Sequence, residues 1–153
     1  MPLLERKNSN IFYQYTPGKN LPLVTMINGF MRTSRDFHLV AKNFAQLGIG
    51  TLIFDNRGSG KTRTTTPFLL QDIAEDVNAL WDHLGIQQSH VVGISMGGII
   101  AQYLAAKYPF KIGKLALIST TSDVKWFIDK NRQWGDSEKS IYEKLKCYFD
   151  TTF

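Results

Sequence analysis

Short apolar runs alternate with longer polar–apolar segments along most of the chain. The apolar and β-branched residues are concentrated at positions 11–15, 23–27, 51–54, 90–94 and 115–118. Each run has the length of a buried strand and is followed by turn-forming or polar residues. The pattern therefore predicts five strands.

Three segments between these runs predict helices. Over residues 34–47 and 69–84, apolar side chains recur three or four positions apart, and a third segment, 98–108, ends before a proline. Ser34 is predicted to cap the first helix, and Thr66 with Pro67 to open the second. Strands that alternate with such helices indicate an α/β fold, with a mainly parallel sheet flanked by helices.

The pattern changes near residue 120. No further strand-like run follows, and residues 123–153 contain seven of the 19 aromatic residues of the chain. We therefore divide the chain into a core at 1–122 and an appendage at 123–153. Clustered exposed aromatics are typical of interfaces, so the appendage favours association with another chain.

Composition narrows the classes of protein that fit this pattern. The chain has 153 residues, 43% of them hydrophobic, and a net charge of +5 that is not concentrated in a tail or stripe. These values indicate a globular domain and do not argue for a nucleic-acid partner. The single cysteine, Cys147, excludes a disulfide framework within the chain and a multi-cysteine zinc site. Without an apolar leader or a long apolar segment, we expect a cytoplasmic protein with no membrane span, no metal and no cofactor.

The sequence Gly93-Ile94-Ser95-Met96-Gly97-Gly98 carries the clearest chemical signal. It lies between a predicted strand and a predicted helix, where a serine is held in a strained turn with its hydroxyl projecting. Gly93 and Gly97 allow neighbouring backbone to pass close by. The N–H of Met96 lies at the start of a helix, where a developing negative charge is stabilised.

Three segments together resemble the N-terminal part of the α/β-hydrolase fold family. They are Asn28-Gly29-Phe30, Asp55-Asn56-Arg57-Gly58-Ser59-Gly60 and Gly93-Ile94-Ser95-Met96-Gly97-Gly98, each after a predicted strand. The resemblance implies a serine hydrolase that acts on a small-molecule ester or related acyl substrate.

The resemblance also implies roles for individual residues. Ser95 would be the nucleophile, the N–H groups of Phe30 and Met96 would form the oxyanion hole, and residues 28–30 would contact the substrate. Gly93, Gly97 and Gly98 would shape the elbow around the serine. The family most often has histidine where this chain has Asn28, and asparagine is compatible with the turn expected there.

The expected base is missing from its usual place. In the family the order along the chain is serine, then an acid, then histidine, but His38, His83 and His90 all precede Ser95. His90 lies five residues earlier on one strand, ~16 Å away at about 3.3 Å per residue. Asp123 is a candidate acid, although a helix-capping aspartate is the ordinary interpretation.

These departures predict a truncated α/β-hydrolase fold. Residues 123–153 resemble the start of the helical lid that family members insert at this point. The chain would then be a fragment, a truncated product or one half of a split enzyme. We expect a homo-oligomer or a complementing C-terminal chain, because residues 115–118 would form an unpaired sheet edge.

Two alternatives remain beside the hydrolase hypothesis. One is a non-catalytic remnant or interaction module that keeps the elbow without its chemistry. The other is nucleotide binding, since Gly60-Lys61-Thr62 matches the end of a phosphate loop. That pattern requires a glycine where this chain has Asp55, and a helix directly after the loop, so we disfavour it.

Overall fold

A computed structural model of the chain describes residues 2–19 and 22–122. Asp123 and the appendage predicted at 123–153 lie outside the described residues. The strands are β1 (Leu3–Arg6), β2 (Ser9–Thr16), β3 (Leu23–Ile27), β4 (Gly50–Phe54), β5 (Arg63–Thr64), β6 (Ser89–Ile94) and β7 (Ile112–Ile118). The helices are α1 (His38–Gln46), α2 (Leu70–His83) and α3 (Met96–Lys107), with short 3₁₀ helices at Ser34–Phe37 and Pro109–Lys111.

The described strands form one mixed sheet in the order β1-β2-β4-β3-β6-β7, and β5 pairs with β2. The strands β4, β3, β6 and β7 pair in parallel, whereas β1, β2 and β5 pair antiparallel. The predicted α/β fold with helices beside the sheet is thus confirmed. Antiparallel pairing is more extensive than the sequence indicated, because β2 pairs antiparallel with β1, β4 and β5.

In the part of the chain that the structure describes, the core consists of two apolar clusters. The larger cluster includes Trp81 and Ile100, both fully buried, and the smaller one includes Met26 and Phe37. The indole N–H of Trp81 donates to Thr25 Oγ1 over 2.9 Å. That bond satisfies a polar group that would otherwise destabilise the core.

The start of α2 differs from the prediction. The helix begins at Leu70 rather than at Thr66 and Pro67. Thr64 lies in β5, and the N–H of Thr65 donates to the carbonyl of Asn8, so this segment is held extended against β2. Ser34 does not act as the predicted side-chain cap, since Thr33 precedes a 3₁₀ helix that has no side-chain cap bond.

Strand β7 lies at the edge of the described sheet. Among residues 2–19 and 22–122, it pairs only with β6. Its apolar side chains are partly exposed, at 37% for Leu115, 43% for Leu117 and 45% for Ile118. An apolar strand with an open edge is a site for pairing with another strand.

A charged cluster connects α2 to the end of α3. Glu75 accepts hydrogen bonds of 2.7 Å from both Lys107 Nζ and the Tyr108 hydroxyl. Burial raises the pKa of Glu75, but the hydrogen bonds from Lys107 and Tyr108 and the charge of Lys107 outweigh it. The pKa of this carboxyl therefore lies below its usual value.

The lowered pKa of Glu75 predicts a loss of stability in acid. A carboxyl with a lower pKa in the folded state stabilises the protein above its unfolded pKa, and the contribution disappears as the pH falls through the folded pKa. We expect the free energy of unfolding of Glu75→Gln to fall less steeply than that of wild type below about pH 4.3. Urea denaturation over a pH series measures this difference. Tyr108→Phe should be intermediate, and parallel curves for wild type and Glu75→Gln would contradict the assignment.

Candidate active site

Ser95 occupies a strained elbow between β6 and α3. Its backbone has φ 54° and ψ −120°, a conformation that side-chain-bearing residues rarely adopt. The N–H of Ser95 donates to the carbonyl of Ile118 over 2.9 Å, and its carbonyl accepts from Thr120 Oγ1 over 2.7 Å. Such strain costs about 1–3 kcal/mol and persists only where surrounding contacts impose it.

Glycines make this elbow possible because other backbone passes against them. A Cβ on Gly97 would overlap the carbonyl oxygen of Ile27 at the end of β3. A Cβ on Gly93 would overlap the carbonyl of Gly97, and one on Gly98 would lie 2.5 Å from Thr120 Cβ. The two strand ends and the start of α3 can therefore approach closely only with glycine at these positions.

The loop after β3 faces the serine. A Cβ on Gly29 would lie 3.5 Å from Ser95 Cβ, so the structure brings residues 28–30 beside the elbow. Phe30 is partly buried against the larger core cluster. Met96, which is 5% exposed, is the first residue of α3, so its N–H lies at the positive end of the helix dipole.

Asn28 is buried, and its side chain bonds to its own loop and to the 3₁₀ helix that follows. Its amide nitrogen donates to the carbonyl of Thr33 over 2.7 Å and to Asp36 Oδ2 over 3.0 Å. Its Oδ1 accepts from the N–H of Gly29 over 2.8 Å. Asn28 therefore lies at the site, but its side chain holds the loop.

The loop after β4 folds around the buried carboxylate of Asp55. Asp55 Oδ1 accepts from the N–H of Ser34 over 2.7 Å, and Oδ2 accepts from the N–H of Lys61 over 2.8 Å. The N–H of Thr62 donates to the carbonyl of Ser59. Because the N–H groups of Lys61 and Thr62 both donate to acceptors within the loop, they form no cradle for phosphate. The nucleotide-binding alternative therefore lacks its defining geometry.

A buried ion pair fixes the same loop to α2. Arg57 donates to both carboxylate oxygens of Asp76, over 2.6 Å and 2.9 Å, and Arg6 Nε lies 3.4 Å from the same carboxylate. The hydrogen bond to Asp76 raises the pKa of Arg57, against the lowering effect of burial. Asp76 is 1% exposed.

Asp76 was not predicted from the sequence, although a signal was present. An aspartate in the apolar stripe of α2, between Ile73 and Leu80, needs a cationic partner when it is buried. Thr120, whose hydroxyl holds the carbonyl of Ser95, had no comparable signal.

The three histidines have partners elsewhere. His38 Nε2 lies 2.7 Å from Gln14 Oε1, and His83 Nε2 lies 3.2 Å from the hydroxyl of Tyr13. His90 Nδ1 accepts from the N–H of Lys114 over 2.9 Å, near the start of β6. No cluster of three or more potential metal ligands occurs within 2–19 and 22–122. In the same part of the chain, no helix is both long and apolar enough to cross a bilayer.

The fold and elbow define a class of α/β proteins with a strained serine at a strand–helix turn. A family model described as alpha/beta hydrolase fold matches residues 22–149. The chain therefore belongs to the α/β hydrolase fold family, and the resemblance noted in the sequence is confirmed.

Individual relatives support a family of hydrolytic enzymes. The chain is 35% identical over 74 residues to 3-oxoadipate enol-lactonase 2 from Acinetobacter baylyi, covering 48% of this chain and 28% of the relative. It is 30% identical over 112 residues to the bifunctional esterase/perhydrolase DCH from Acinetobacter calcoaceticus, covering 72% of this chain and 41% of the relative.

A solved structure gives the same fold. A carboxylesterase from Nitrososphaera gargenis matches with a TM-score of 0.78 at 21% identity, over 86% of this chain and 51% of that chain. At this identity the match establishes the fold alone. The chain spans 28% to 41% of the two curated relatives and about half of this structure.

Proposed function

We propose that this chain carries the nucleophile and oxyanion hole of a serine hydrolase for a small ester or related acyl substrate. The observation that supports this most directly is the backbone of Ser95, with φ 54° at the junction of β6 and α3. A folded protein keeps such strain where the surroundings hold it in place, and strained residues cluster at active sites.

The proposed reaction has two steps. Ser95 Oγ attacks the acyl carbon and gives its proton to a base. The bond to the leaving alcohol then breaks, and the alcohol takes up that proton. Water hydrolyses the acyl-serine and releases the acid. The N–H groups of Phe30 and Met96 would stabilise the oxyanion, and one such donor contributes about 3–4 kcal/mol in known enzymes.

In this proposal the base is not one of the three histidines of the chain, because each of them bonds to a residue away from Ser95. Strand β7, which pairs only with β6 among residues 2–19 and 22–122, would pair with a further strand of the fold, and that strand would bring the base to Ser95. Asp123 stays the candidate acid in this chain, and residues 123–153 the candidate start of a lid over the site. The core would end at residue 122.

Labelling with a fluorophosphonate probe tests the proposal. We expect slow labelling of the 153-residue protein at Ser95, and faster labelling as free imidazole is added to replace the missing base. Ser95→Ala should abolish the label at this position. Ser119→Ala is a matched control, because Ser119 also has a positive φ, of 48°, at the end of the adjacent strand.

A second candidate function is a non-catalytic interaction module. The engagement of all three histidines elsewhere favours it. The two functions differ in the labelling experiment. A folded protein in which Ser95 stays unlabelled at every imidazole concentration would overturn the hydrolase proposal and support the interaction module.

A further inference from the structure

The loop after β3 is closed into a ring by one buried side chain. Asn28 is 4% exposed, and its amide reaches the carbonyl of Thr33 and the carboxylate of Asp36. These two bonds use both hydrogens of the amide. The amide oxygen accepts from the N–H of Gly29. The first residue of the loop is thereby bonded to its last residue, Thr33, and to the 3₁₀ helix that follows.

Gly29, which lies inside this ring, is the residue that passes beside Ser95. A Cβ on Gly29 would lie 3.5 Å from Ser95 Cβ. Met31 has φ 55°, and the N–H of Arg32 donates to the carbonyl of Gly29 over 3.3 Å. A turn with such a strained residue needs external bonds to keep its shape. The bonds from Asn28 supply them.

The backbone of Asn28 is held from the opposite side. Asn56, which follows β4, donates from its amide to the carbonyl of Asn28 over 2.9 Å. A Cβ on Gly97 would lie 2.7 Å from the same carbonyl oxygen, so the elbow packs directly on it. Asn28 is therefore the point at which the loop, the strand end and the elbow meet.

Asp36, which accepts a hydrogen bond from Asn28, is itself held in place. Asp36 Oδ2 also accepts from Arg32 Nε over 2.7 Å. Burial raises the pKa of Asp36, but the hydrogen bonds from Asn28 and Arg32 outweigh it and place the pKa below its usual value. The carboxylate stays charged at neutral pH, and hydrogen bonds to a charged acceptor are stronger than neutral ones.

We propose that Asn28 is a positioning residue for the chemistry of Ser95, because its amide closes the loop and holds the Phe30 N–H at the oxyanion position. This inference rests on the proposed function. It replaces direct substrate contact as the role of the Asn28 side chain, since the amide hydrogens bond to Thr33 and Asp36.

The test measures Ser95 phosphonylation in imidazole buffer for wild type and Asn28→Ala. Misplacement of a catalytic group by about 1 Å can cost 100-fold, so we expect the maximal rate of labelling to fall about 10- to 100-fold. The probe concentration at half-maximal rate should change little, because probe binding is not affected. The ³¹P shift of the phosphonyl-serine should also move, since it reports the donors at the phosphoryl oxygen.

Two further variants separate positioning from general stability. Asn78→Ala is the matched control, since that amide donates to Asp82 Oδ2 over 3.1 Å on the surface of α2. It should label like wild type. Asn28→Asp should label slowly, because it loses the amide donors and places a second carboxylate beside Asp36. In the double variant Asn28→Asp with Asp36→Asn, the amide at position 36 can donate to the carboxylate at position 28. The hydrogen bond is then restored with donor and acceptor exchanged, and part of the labelling rate should be recovered.

Amide hydrogen exchange at Phe30 makes the result independent of labelling. We expect faster exchange at Phe30 in Asn28→Ala and unchanged exchange in Asn78→Ala. If Ser95 of the wild type is not labelled, the proposed function is overturned. The exchange rate of the Phe30 amide would still test whether Asn28 positions the loop. Unchanged exchange at Phe30, or an unchanged labelling rate in Asn28→Ala, would overturn the positioning role.

Discussion

Gly97→Ala is expected to destabilise the fold by at least about 3 kcal/mol, beyond the usual cost of overpacking. The added Cβ would overlap the carbonyl oxygen of Ile27 and lie 2.7 Å from that of Asn28. Both atoms are backbone, and they cannot move away without separating β3 from α3. Urea denaturation followed by circular dichroism measures the loss.

Gly85→Ala is the control for this substitution. Gly85 has φ 68°, and an added Cβ there would have no atom within 4 Å. It should cost only the strain of a left-handed conformation, about 1–2 kcal/mol. If the two variants unfold at the same urea concentration, close packing at Gly97 does not limit stability.

Arg57→Ala is expected to cost about 3–5 kcal/mol, because it leaves the buried carboxylate of Asp76 without its main partner. Arg6 lies 3.4 Å from that carboxylate and is too poorly placed for a hydrogen bond. The double variant Arg57→Met with Asp76→Leu should recover most of the loss, since an apolar pair needs no compensating charge. Thermal and urea unfolding of wild type and the two variants provide the comparison.

An exposed ion pair provides the comparison with the buried pair of Arg57 and Asp76. Lys111 pairs with Asp82, whose side chain is 61% exposed. Lys111→Ala should change the free energy of unfolding by no more than about 1 kcal/mol. A loss as large as that of Arg57→Ala would mean that burial does not determine the effect.

The central strands and the elbow could be predicted from the sequence because their signals are local. The predicted run at 23–27 coincides with β3, and the predicted strand end before Ser95 coincides with the end of β6. Runs of buried side chains and a glycine-flanked serine indicate their structure without knowledge of the rest of the fold.

Other features depend on tertiary contacts that no local pattern reveals. Strand β5 has two residues, and it is held to β2 by pairing and by a bond from Ser9 Oγ to the carbonyl of Arg63. Because β5 is held against β2, α2 begins only at Leu70. The sequence predicts that Asn28 contacts the substrate, and the hydrogen bond from its amide to Asp36 could not be inferred from a turn dipeptide.

The order of strands in the sheet has a consequence for synthesis on the ribosome. Strand β3 is made first among the parallel strands, yet its two neighbours are β4 and β6, which emerge later. Until Ile94 leaves the ribosome, one side of β3 has no partner and its apolar residues are uncovered. Nascent chains of this intermediate length should therefore be the ones that bind chaperones or aggregate. The elbow at Ser95 can form only after that interval ends.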